Sequence, residues 1–443
     1  MPDRRLSCVC ALAMLLAGSA VPVFAQSGDL PRWARVSFFA QGSSMTPTDG
    51  GAASSYSVVT TTIAAESTRR SAGGFEYGLN LTFGQYPSSV GRGQRVSIYD
   101  AFAAGSLMNG HLFVKAGQMW LTDLGGLGAI GGGLIEYRQS RTAGHLRWRA
   151  AGFGGLEPEP LTVGYASNIT KYGGYVAVDG VGAEKHVVGY VVVRNSGLTE
   201  RSVVTLTNFV QAGHQFFLYQ AAEVTINGGA GQVPAGLGYF FVNAHASPND
   251  RLDLQMTYHR GQAIDFRTIT EDILRGRPIP ARMLDGYLFE SLGGRVTVAV
   301  RKNLRVYAGY SQDKNGSTSD AINRVSFGVS SGNFLGTGLD LNVSDYRYSG
   351  GTNPSYDSWW VSVGRNLSPR VYVSGDYTSS LSIVRYVQSS GLVIETRPAT
   401  KRMGGTVLVH VGRTASLLFT FDHTQDTNYT ENRLLAGLTY RFQ

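Results

Sequence analysis

Apolar and polar residues alternate along most of this chain, in segments of roughly 10–14 residues that begin near Pro31. The last segment is the clearest, and its apolar face consists of Leu434, Ala436, Leu438, Tyr440 and Phe442. Its other face carries Arg433 and Arg441 beside Gly437 and Thr439. A period of two predicts a β-strand whose two faces meet different surroundings, such as lipid on one side and water on the other.

Two segments, Val187–Val193 and Phe216–Val224, depart from this alternation because they are apolar on both faces. Their pattern fits either strands of a buried core or barrel strands whose inner face is covered by a folded-in loop. The glycine-rich run Gly125–Gly133 lacks the Gly-Lys-Ser/Thr ending of a phosphate-binding loop and does not open a predicted helix. It is predicted to be a loop or a bulged strand end, where small residues allow close backbone approach.

The connections between segments alternate in length when they are counted back from the C-terminal strand. Asp422–Asn432 and Ile264–Met283 are long and polar, whereas Gly412–Thr414 and Ser247–Asp250 are short. Long loops at one end and short turns at the other are expected of outer-membrane barrels, and a soluble β-sandwich has no reason to keep that order. About eleven long loops predict about 22 strands, with 18 and 20 as alternatives because the N-terminal third is less regular.

The final strand also resembles the C-terminal signal of bacterial outer-membrane β-barrel proteins, through Gly437, Tyr440 and Phe442. Gln443 is a departure from barrels that end on the aromatic residue. Over nearly its whole length, the chain resembles the porin-like superfamily of outer-membrane barrels. That resemblance implies an all-β fold, a transmembrane antiparallel β-barrel of about 18–22 strands without a plug domain. It also implies an assembly signal at Gly437, Tyr440 and Phe442 for the barrel assembly machinery, and a wall surrounded by lipid and lipopolysaccharide.

Residues 1–25 are predicted to be a cleaved secretory signal peptide, with Arg4 and Arg5 before the apolar core Val9–Leu16. That core is too short to span a bilayer as a helix. Residues 26–443 are therefore predicted to form one exported domain, the barrel, in the bacterial outer membrane.

Composition supports this class of protein. Charged residues make up 16% of the chain, whereas about 25% is usual in soluble proteins. Both cysteines, Cys8 and Cys10, lie in the predicted signal peptide, so disulfides and cysteine metal sites are excluded from the mature chain.

The formal net charge is +8, and the inward face of the predicted barrel is biased towards basic residues. Charged side chains on a pore wall favour solutes of the opposite sign, so this bias predicts a channel for hydrophilic, anionic solutes. The candidate pore-lining residues are Arg95, Lys115, Arg138, Arg147, Arg149, Arg295, Arg305, Arg324, Arg402 and Trp360. The alternative is that the arginines pair with inward acids such as Glu136 and Asp253, or face lipopolysaccharide phosphates at the rim.

Trp360 is the best candidate for a sugar-stacking ring inside the pore, if Trp359 faces outward with Val361 and Val363. Interfacial aromatic girdles explain most other aromatic residues near predicted strand ends. The long loop Ile264–Met283 either folds inward and narrows the pore, as one loop often does in porins, or stays exposed.

Three functions remain open at this point. The first is the channel for hydrophilic solutes. The second is a barrel partner of periplasmic export proteins in polysaccharide secretion, with Trp360, Tyr307 and Tyr372 beside basic residues to accept an acidic glycan. The third is a structural or adhesive barrel with a closed lumen. The sequence carries no recognisable catalytic signature, metal-ligand spacing or cofactor motif, so it predicts no enzyme, no cofactor, no metal and no nucleic-acid partner.

Overall fold

The computed structural model describes residues 33–67, 75–87, 94–139, 146–159, 163–180, 183–316, 321–350, 355–387 and 393–442. The predicted signal peptide and Gln443 lie outside these described residues. Within them, no helix is both long enough and apolar enough to cross a membrane.

The described residues form 23 β-strands and two short α-helices. The strands are β1 Trp33–Pro47, β2 Ser54–Ser67, β3 Phe75–Gln85, β4 Gln94–Leu107, β5 Leu112–Trp120, β6 Ala129–Arg138, β7 Arg147–Pro158, β8 Tyr165–Asp179, β9 Lys185–Asn195, β10 Leu198–Ala212, β11 Phe216–Gly228, β12 Gly236–Asn249, β13 Leu252–Ala263, β14 Tyr287–Arg301, β15 Leu304–Asn315, β16 Ala321–Ser331, β17 Leu339–Ser349, β18 Ser355–Ser368, β19 Val371–Val387, β20 Val393–Thr396, β21 Ala399–Val411, β22 Ala415–Asp426 and β23 Tyr429–Phe442. The helices, α1 Phe266–Leu274 and α2 Ala281–Asp285, lie between β13 and β14.

Each strand pairs antiparallel with the next along the chain, and β23 closes the sheet by pairing with β1. The short β20 forms a hairpin with the tip of β19, while β19 continues the wall by pairing with β21. The wall is therefore a closed antiparallel barrel of 22 strands, which confirms the predicted all-β transmembrane barrel at the upper value of the expected strand number. The register of Ala34 opposite Phe442 puts both strand ends at one barrel end, here called the terminal end. The opposite end is called the loop end.

The outer face of the barrel carries the apolar half of the alternation. On β23, Leu434 and Leu438 are 59% and 43% exposed, and Tyr440 is 40% exposed. So large an exposed apolar surface is unfavourable in water but is expected where lipid meets a barrel wall. The predicted outward face of the last strand is thus confirmed.

The inner face of the same strand explains the glycine in it. A Cβ added to Gly437 would lie 2.6 Å from the ring of Phe39, which packs across the pair of β23 and β1. A larger residue at this position would displace the Phe39 ring from its place across the two strands that close the barrel.

One predicted loop is wrong. Most of Asp422–Asn432 is strand, because β22 continues to Asp426 and β23 begins at Tyr429. The cross-strand pairs Asp422–Arg433 and Thr424–Glu431 lie in this stretch. The polar residues made the stretch resemble a loop because a strand that rises beyond the lipid meets water on both faces and loses its apolar side.

The segment Val187–Val193 is a barrel strand whose inner face is covered. On β9, the inward Val187 and Val191 are 1% and 0% exposed, whereas the outward Val188 is 53% exposed. Residues 121–128, here called the inner loop, fold into the lumen and bring the fully buried Leu124 against Gly189. Val187–Val193 is therefore a barrel strand covered by a folded-in loop, which was the second of the two alternatives. In Phe216–Val224, by contrast, the inward rings are half-buried and face the lumen.

The glycine-rich run Gly125–Gly133 provides the second half of the inner loop and the start of β6. Its first three residues end the 3₁₀ turns of Thr122–Leu127. In its second half, Gly132 lies against the backbone of Gly154 and Gly155, with no room for a Cβ. The prediction of a loop and close backbone approach is confirmed.

Candidate functional site

Two parts of the inner surface of the barrel differ in whether the inner loop covers them. The covered wall is the inner face of β6–β10, which lies behind the inner loop. The open wall is the inner face of β12–β18, which the inner loop does not reach. The ten predicted pore-lining residues all lie on inward positions of the barrel. Seven of them lie on the two walls, where their surroundings differ, and Arg95, Lys115 and Arg402 lie outside both.

On the covered wall, Arg149 is the centre of an ion-pair network. Its guanidinium donates to Glu136 at 2.6 Å, to Asp179 at 2.9 Å and to Asp123 of the inner loop at 3.0 Å. The Arg149 side chain is 8% exposed, so little of it is accessible to a solute. Because charged groups away from water need partners, this network fixes the inner loop to the wall.

The neighbouring predicted residues belong to the same network. Arg147 donates to Asp179 at 2.6 Å, and Arg138 donates to Glu136 while its guanidinium lies 3.7 Å from the centre of the Phe113 ring. The expectation that inward arginines pair with inward acids therefore describes Arg138, Arg147 and Arg149.

Arg95 and Lys115 lie on β4 and β5 against aromatic rings. The ammonium of Lys115 is 3.5 Å from the centre of the Phe102 ring, and the guanidinium of Arg95 is 5.1 Å from the centre of the Tyr86 ring. Cation–π contacts of this kind hold the cations along the wall.

The long loop between β13 and β14 folds inward at the loop end. Asp265 caps α1 by accepting a hydrogen bond from the backbone N–H of Thr268 at 3.0 Å. From the first turn of α1, Arg267 donates to Glu200 at 2.8 Å and to Glu157 at 3.0 Å. The fully buried Ile269 packs over Gly229. The inward-folded alternative therefore describes this loop, which covers the loop end of β7–β10.

The open wall carries arginines outside any ion pair. Within the described part of the chain, Arg295 and Arg305 form no ion pair, and the guanidinium of Arg295 lies 3.9 Å from the centre of the Tyr307 ring. Both line a cleft of about 430 Å³ near the terminal end, together with Arg251, His214, Asp250 and Asp253. The Asp253 carboxylate interacts electrostatically with Arg295 without forming an ion pair in the described part of the chain. Their charge is therefore directed at the lumen.

The remaining charged candidates are paired. Arg324 forms an ion pair with Asp313 and borders a second cleft, of about 200 Å³, beside Arg295. Arg402 donates to Asp422 at 2.8 Å, and Arg433 donates to the other oxygen of the same carboxylate at 2.7 Å.

Trp360 has the predicted inward direction. It lies opposite Ser344 and Thr378, whereas Trp359 is on the outer face, where its ring centre is 5.0 Å from that of Tyr377. Trp360 therefore faces the lumen, on the open wall.

Sequence reasoning missed a cluster at the terminal end of β12 and β13. His245 contacts Asp253, and the Ser247 hydroxyl lies 3.4 Å from Nε2 of His245 and 3.0 Å from Asp253. Asp253 and Ser247 both contact Nε2, so the imidazole does not bridge them through its two nitrogens as in a Ser-His-Asp triad. Among the described residues, no group of three or more His, Cys, Asp or Glu side chains could hold a metal ion.

Sequence reasoning also missed an aromatic feature, here called the ring row, on the inner face of β10–β14. Its members are Phe209, Phe217, Tyr219, Tyr239, Phe241, His259 and Phe289. Its signal is present in the sequence, since these residues fall on positions that alternate with lipid-facing ones such as Phe240 and Tyr258. The strand register needed to bring them together is a property of the fold.

No protein-family model matches the chain, and no curated protein does either. Several solved structures are similar over most of the chain at very low sequence identity. Pseudomonas aeruginosa OpdQ is 11% identical with a TM-score of 0.43, covering 93% of this chain and 97% of that one. Pseudomonas aeruginosa OccK8 (OprE) is 10% identical with a TM-score of 0.45, covering 93% and 98%. Acinetobacter baumannii OccAB4 is 8% identical with a TM-score of 0.41, covering 94% and 100%. Scores below 0.5 leave the function to be inferred from the barrel's own geometry and charge.

Proposed function

We propose that this barrel is a channel for hydrophilic solutes and that it prefers anions. The observation that carries the proposal is the pair Arg295 and Arg305, which form no ion pair among the described residues and line a cleft on the open wall. Unpaired guanidinium groups in a confined aqueous lumen raise the local concentration of anions. They also offer planar, multiple hydrogen-bond donors to carboxylates and phosphates.

Location in the bacterial outer membrane follows from the same architecture. An apolar outer band around a closed barrel suits a lipid bilayer, and the predicted signal peptide at residues 1–25 provides export. In the outer membrane, Gly437, Tyr440 and Phe442 would serve as the signal read by the barrel assembly machinery. Lipid and lipopolysaccharide would contact the outer face.

The test is planar-bilayer recording on the purified full chain in a salt gradient. The wild-type channel is expected to pass current with a reversal potential on the anion-selective side. The double change Arg295→Glu, Arg305→Glu reverses two charges at the cleft and should move the reversal potential towards cation selectivity. Arg413→Glu, in the exposed turn between β21 and β22, is the matched control and should leave it unchanged. Current with no anion preference, or an equal shift in the control, would contradict the proposed selectivity.

Polysaccharide export is the second candidate, favoured by the lumen-facing Trp360 and by the Tyr307 ring beside Arg295. In that case, deletion of the gene should abolish a surface glycan while uptake of small solutes stays normal. A structural or adhesive barrel with a closed lumen is the third, and it predicts no single-channel current with the loops intact.

A further inference from the structure

The ring row is an aromatic surface on the inner wall, and its rings are in continuous contact from Phe289 to Tyr219. From the loop end, the ring centres of Phe289 and His259 are 4.7 Å apart, and those of His259 and Phe241 are 5.9 Å apart. Phe241 is followed by Tyr219 at 5.9 Å. These spacings are within the range in which neighbouring rings contact one another, and the ring planes meet at 57–76°, so each contact is tilted or edge-to-face. Phe209 and Phe217 form a separate pair with ring centres 5.3 Å apart.

The row also runs along the direction of transit. Strand register sets Phe289 level with Gly261, Tyr239 and Glu223, whereas Phe217 lies six residues further towards the terminal end of β11. At about 3.3 Å per residue, the contacting part of the row extends about 13 Å along the strands, and Phe217 brings the total to about 20 Å. Because the strands of such a barrel tilt by about 35–45°, this total corresponds to about 15 Å of a lipid-embedded height of about 25 Å.

Uncharged polar side chains border the rings on the same face. Asn243 and Thr257 lie opposite each other between Phe241 and the terminal end, and Ser291 lies opposite His259. The rings of Tyr219, Phe241 and Phe289 have no cation–π partner in the described part of the chain, unlike Tyr307 under Arg295. The row therefore combines apolar faces with neutral hydrogen-bonding groups, and it is chemically distinct from the arginine-lined cleft.

We propose that the ring row binds a neutral carbohydrate chain on its way through the lumen. A pyranose unit has an apolar face of C–H groups and a rim of hydroxyls. The C–H faces would lie on Phe241, Tyr219 and Phe289, while the hydroxyls would reach Asn243 and Thr257. A succession of rings suits a ligand built of successive rings. This inference rests on the proposed channel for hydrophilic solutes, and it adds a neutral substrate class at the ring row to the anions proposed for the arginine-lined cleft.

Other ligands match this surface less well. A hydrocarbon chain would cover the amide of Asn243 and the hydroxyl of Thr257 without hydrogen-bonding them, which is costly. An aromatic acid has a single ring, so it would occupy only a small part of the row. Its carboxylate would also need a cation beside it, and the centre of the row provides none.

The experiment is isothermal titration calorimetry on the full chain purified in detergent, with maltohexaose, cellohexaose and benzoate as probes. Phe241→Leu keeps an apolar side chain and removes the ring, and Tyr219→Leu does the same on the next strand. Phe240→Leu is the matched control, because Phe240 is the neighbour of Phe241 on the outer face. Heat-modifiable migration on gels verifies that each variant is folded.

We expect at least one hexaose to bind, and each inward change to weaken that binding by about two- to tenfold, as loss of an aromatic contact does. The control should bind as the wild type does. The inference is overturned if neither hexaose binds, if Phe240→Leu weakens binding equally, or if benzoate alone binds in a Phe241-dependent way. Calorimetry measures binding independently of conductance, so the two proposals can fail separately. A barrel that conducts but binds no hexaose contradicts this inference alone. A barrel that binds hexaose but does not conduct contradicts the channel proposal alone.

Discussion

The covered wall and the open wall are built from the same alternating strands, yet they differ in their inward arginines. The three predicted arginines of the covered wall are paired, whereas on the open wall Arg324 is paired and, among the described residues, Arg295 and Arg305 are not. Arg149 contacts three carboxylates and is almost inaccessible, whereas Arg295 and Arg305 form no ion pair in the described chain. Two of these carboxylates, Glu136 and Asp179, belong to the covered wall itself, and the inner loop adds Asp123 and Leu124 in front of it. An inward direction is therefore not enough to make a residue a solute contact.

The two walls also divide stability and transport between them. The described apolar core cluster lies entirely within β4–β10 and the inner loop. The inward side chains of β12–β18 face water and are mostly half-buried. Changes on the covered wall should therefore act on folding, and changes on the open wall should act on passage of solutes.

The largest expected effect is on the covered wall. Arg149→Met leaves Glu136, Asp123 and Asp179 without their shared partner, and loss of one member of a buried ion pair costs about 3–5 kcal/mol. The midpoint of urea unfolding in detergent micelles should fall accordingly. Arg305→Met removes an unpaired arginine and should change the free energy of unfolding by less than about 1 kcal/mol. Equal losses in the two variants would erase the distinction between the walls.

A smaller effect is expected where the inner loop meets β9. Gly189→Val places a side chain where Leu124 and Thr205 already lie, and overpacking of this kind costs about 1–3 kcal/mol. The inner loop should move away from the wall. In a Leu127→Cys background, which keeps Leu124 in place and labels another buried residue of the inner loop, maleimide labelling should be slow while Gly189 is retained and fast once Gly189→Val is added. Labelling that stays slow would mean that the loop is held elsewhere.

A smaller effect still is expected at α1, which covers the loop end of the same wall. Asp265→Ala removes the N-cap, which typically contributes about 1 kcal/mol. Backbone amide exchange within 266–274 should become faster. Glu271→Ala, which breaks the exposed pair with Arg275, should change it less. A larger effect of Glu271→Ala would show that the cap does not hold the helix.

Acid should weaken the same cap. Hydrogen bonds from Thr268 hold the pKa of Asp265 below its ordinary value of 3.8. A carboxyl with a lowered pKa stabilises the fold above its unfolded pKa, and that stability is lost as the pH falls through the folded pKa. Exchange in α1, corrected for intrinsic rates, should be constant from about pH 8 to 5 and rise below about pH 4. A rise centred near neutral pH would point to a different group.

How much the sequence predicts depends on whether the determinant is local. The two faces of β23 follow from the period of two, and the inward direction of Trp360 follows from the outward Trp359. The end of β22 cannot be predicted in this way, because both faces of the strand are polar beyond the lipid and the alternation disappears. The pairing of Arg149 with Asp123 was equally hidden, since it depends on an inner loop folding back across several strands.

The ring row is a second feature that the sequence predicts only in part. The inward direction of each residue can be predicted from the alternation along its own strand. The arrangement of the rings beside one another depends on the register of five strands. Register of that kind is set by pairing along the whole barrel, which no single segment encodes.

The most direct test of the account compares one arginine from each wall in a single measurement. Reversal potentials in a salt gradient should be recorded for Arg295→Gln and for Arg149→Gln, with folded channels of each verified by heat-modifiability. The account predicts that Arg295→Gln moves the potential towards the cation side, and that Arg149→Gln moves it much less because the Arg149 side chain is 8% exposed and lies behind the inner loop, away from the path of solutes. An equal shift in both, or a larger shift in Arg149→Gln, would contradict it.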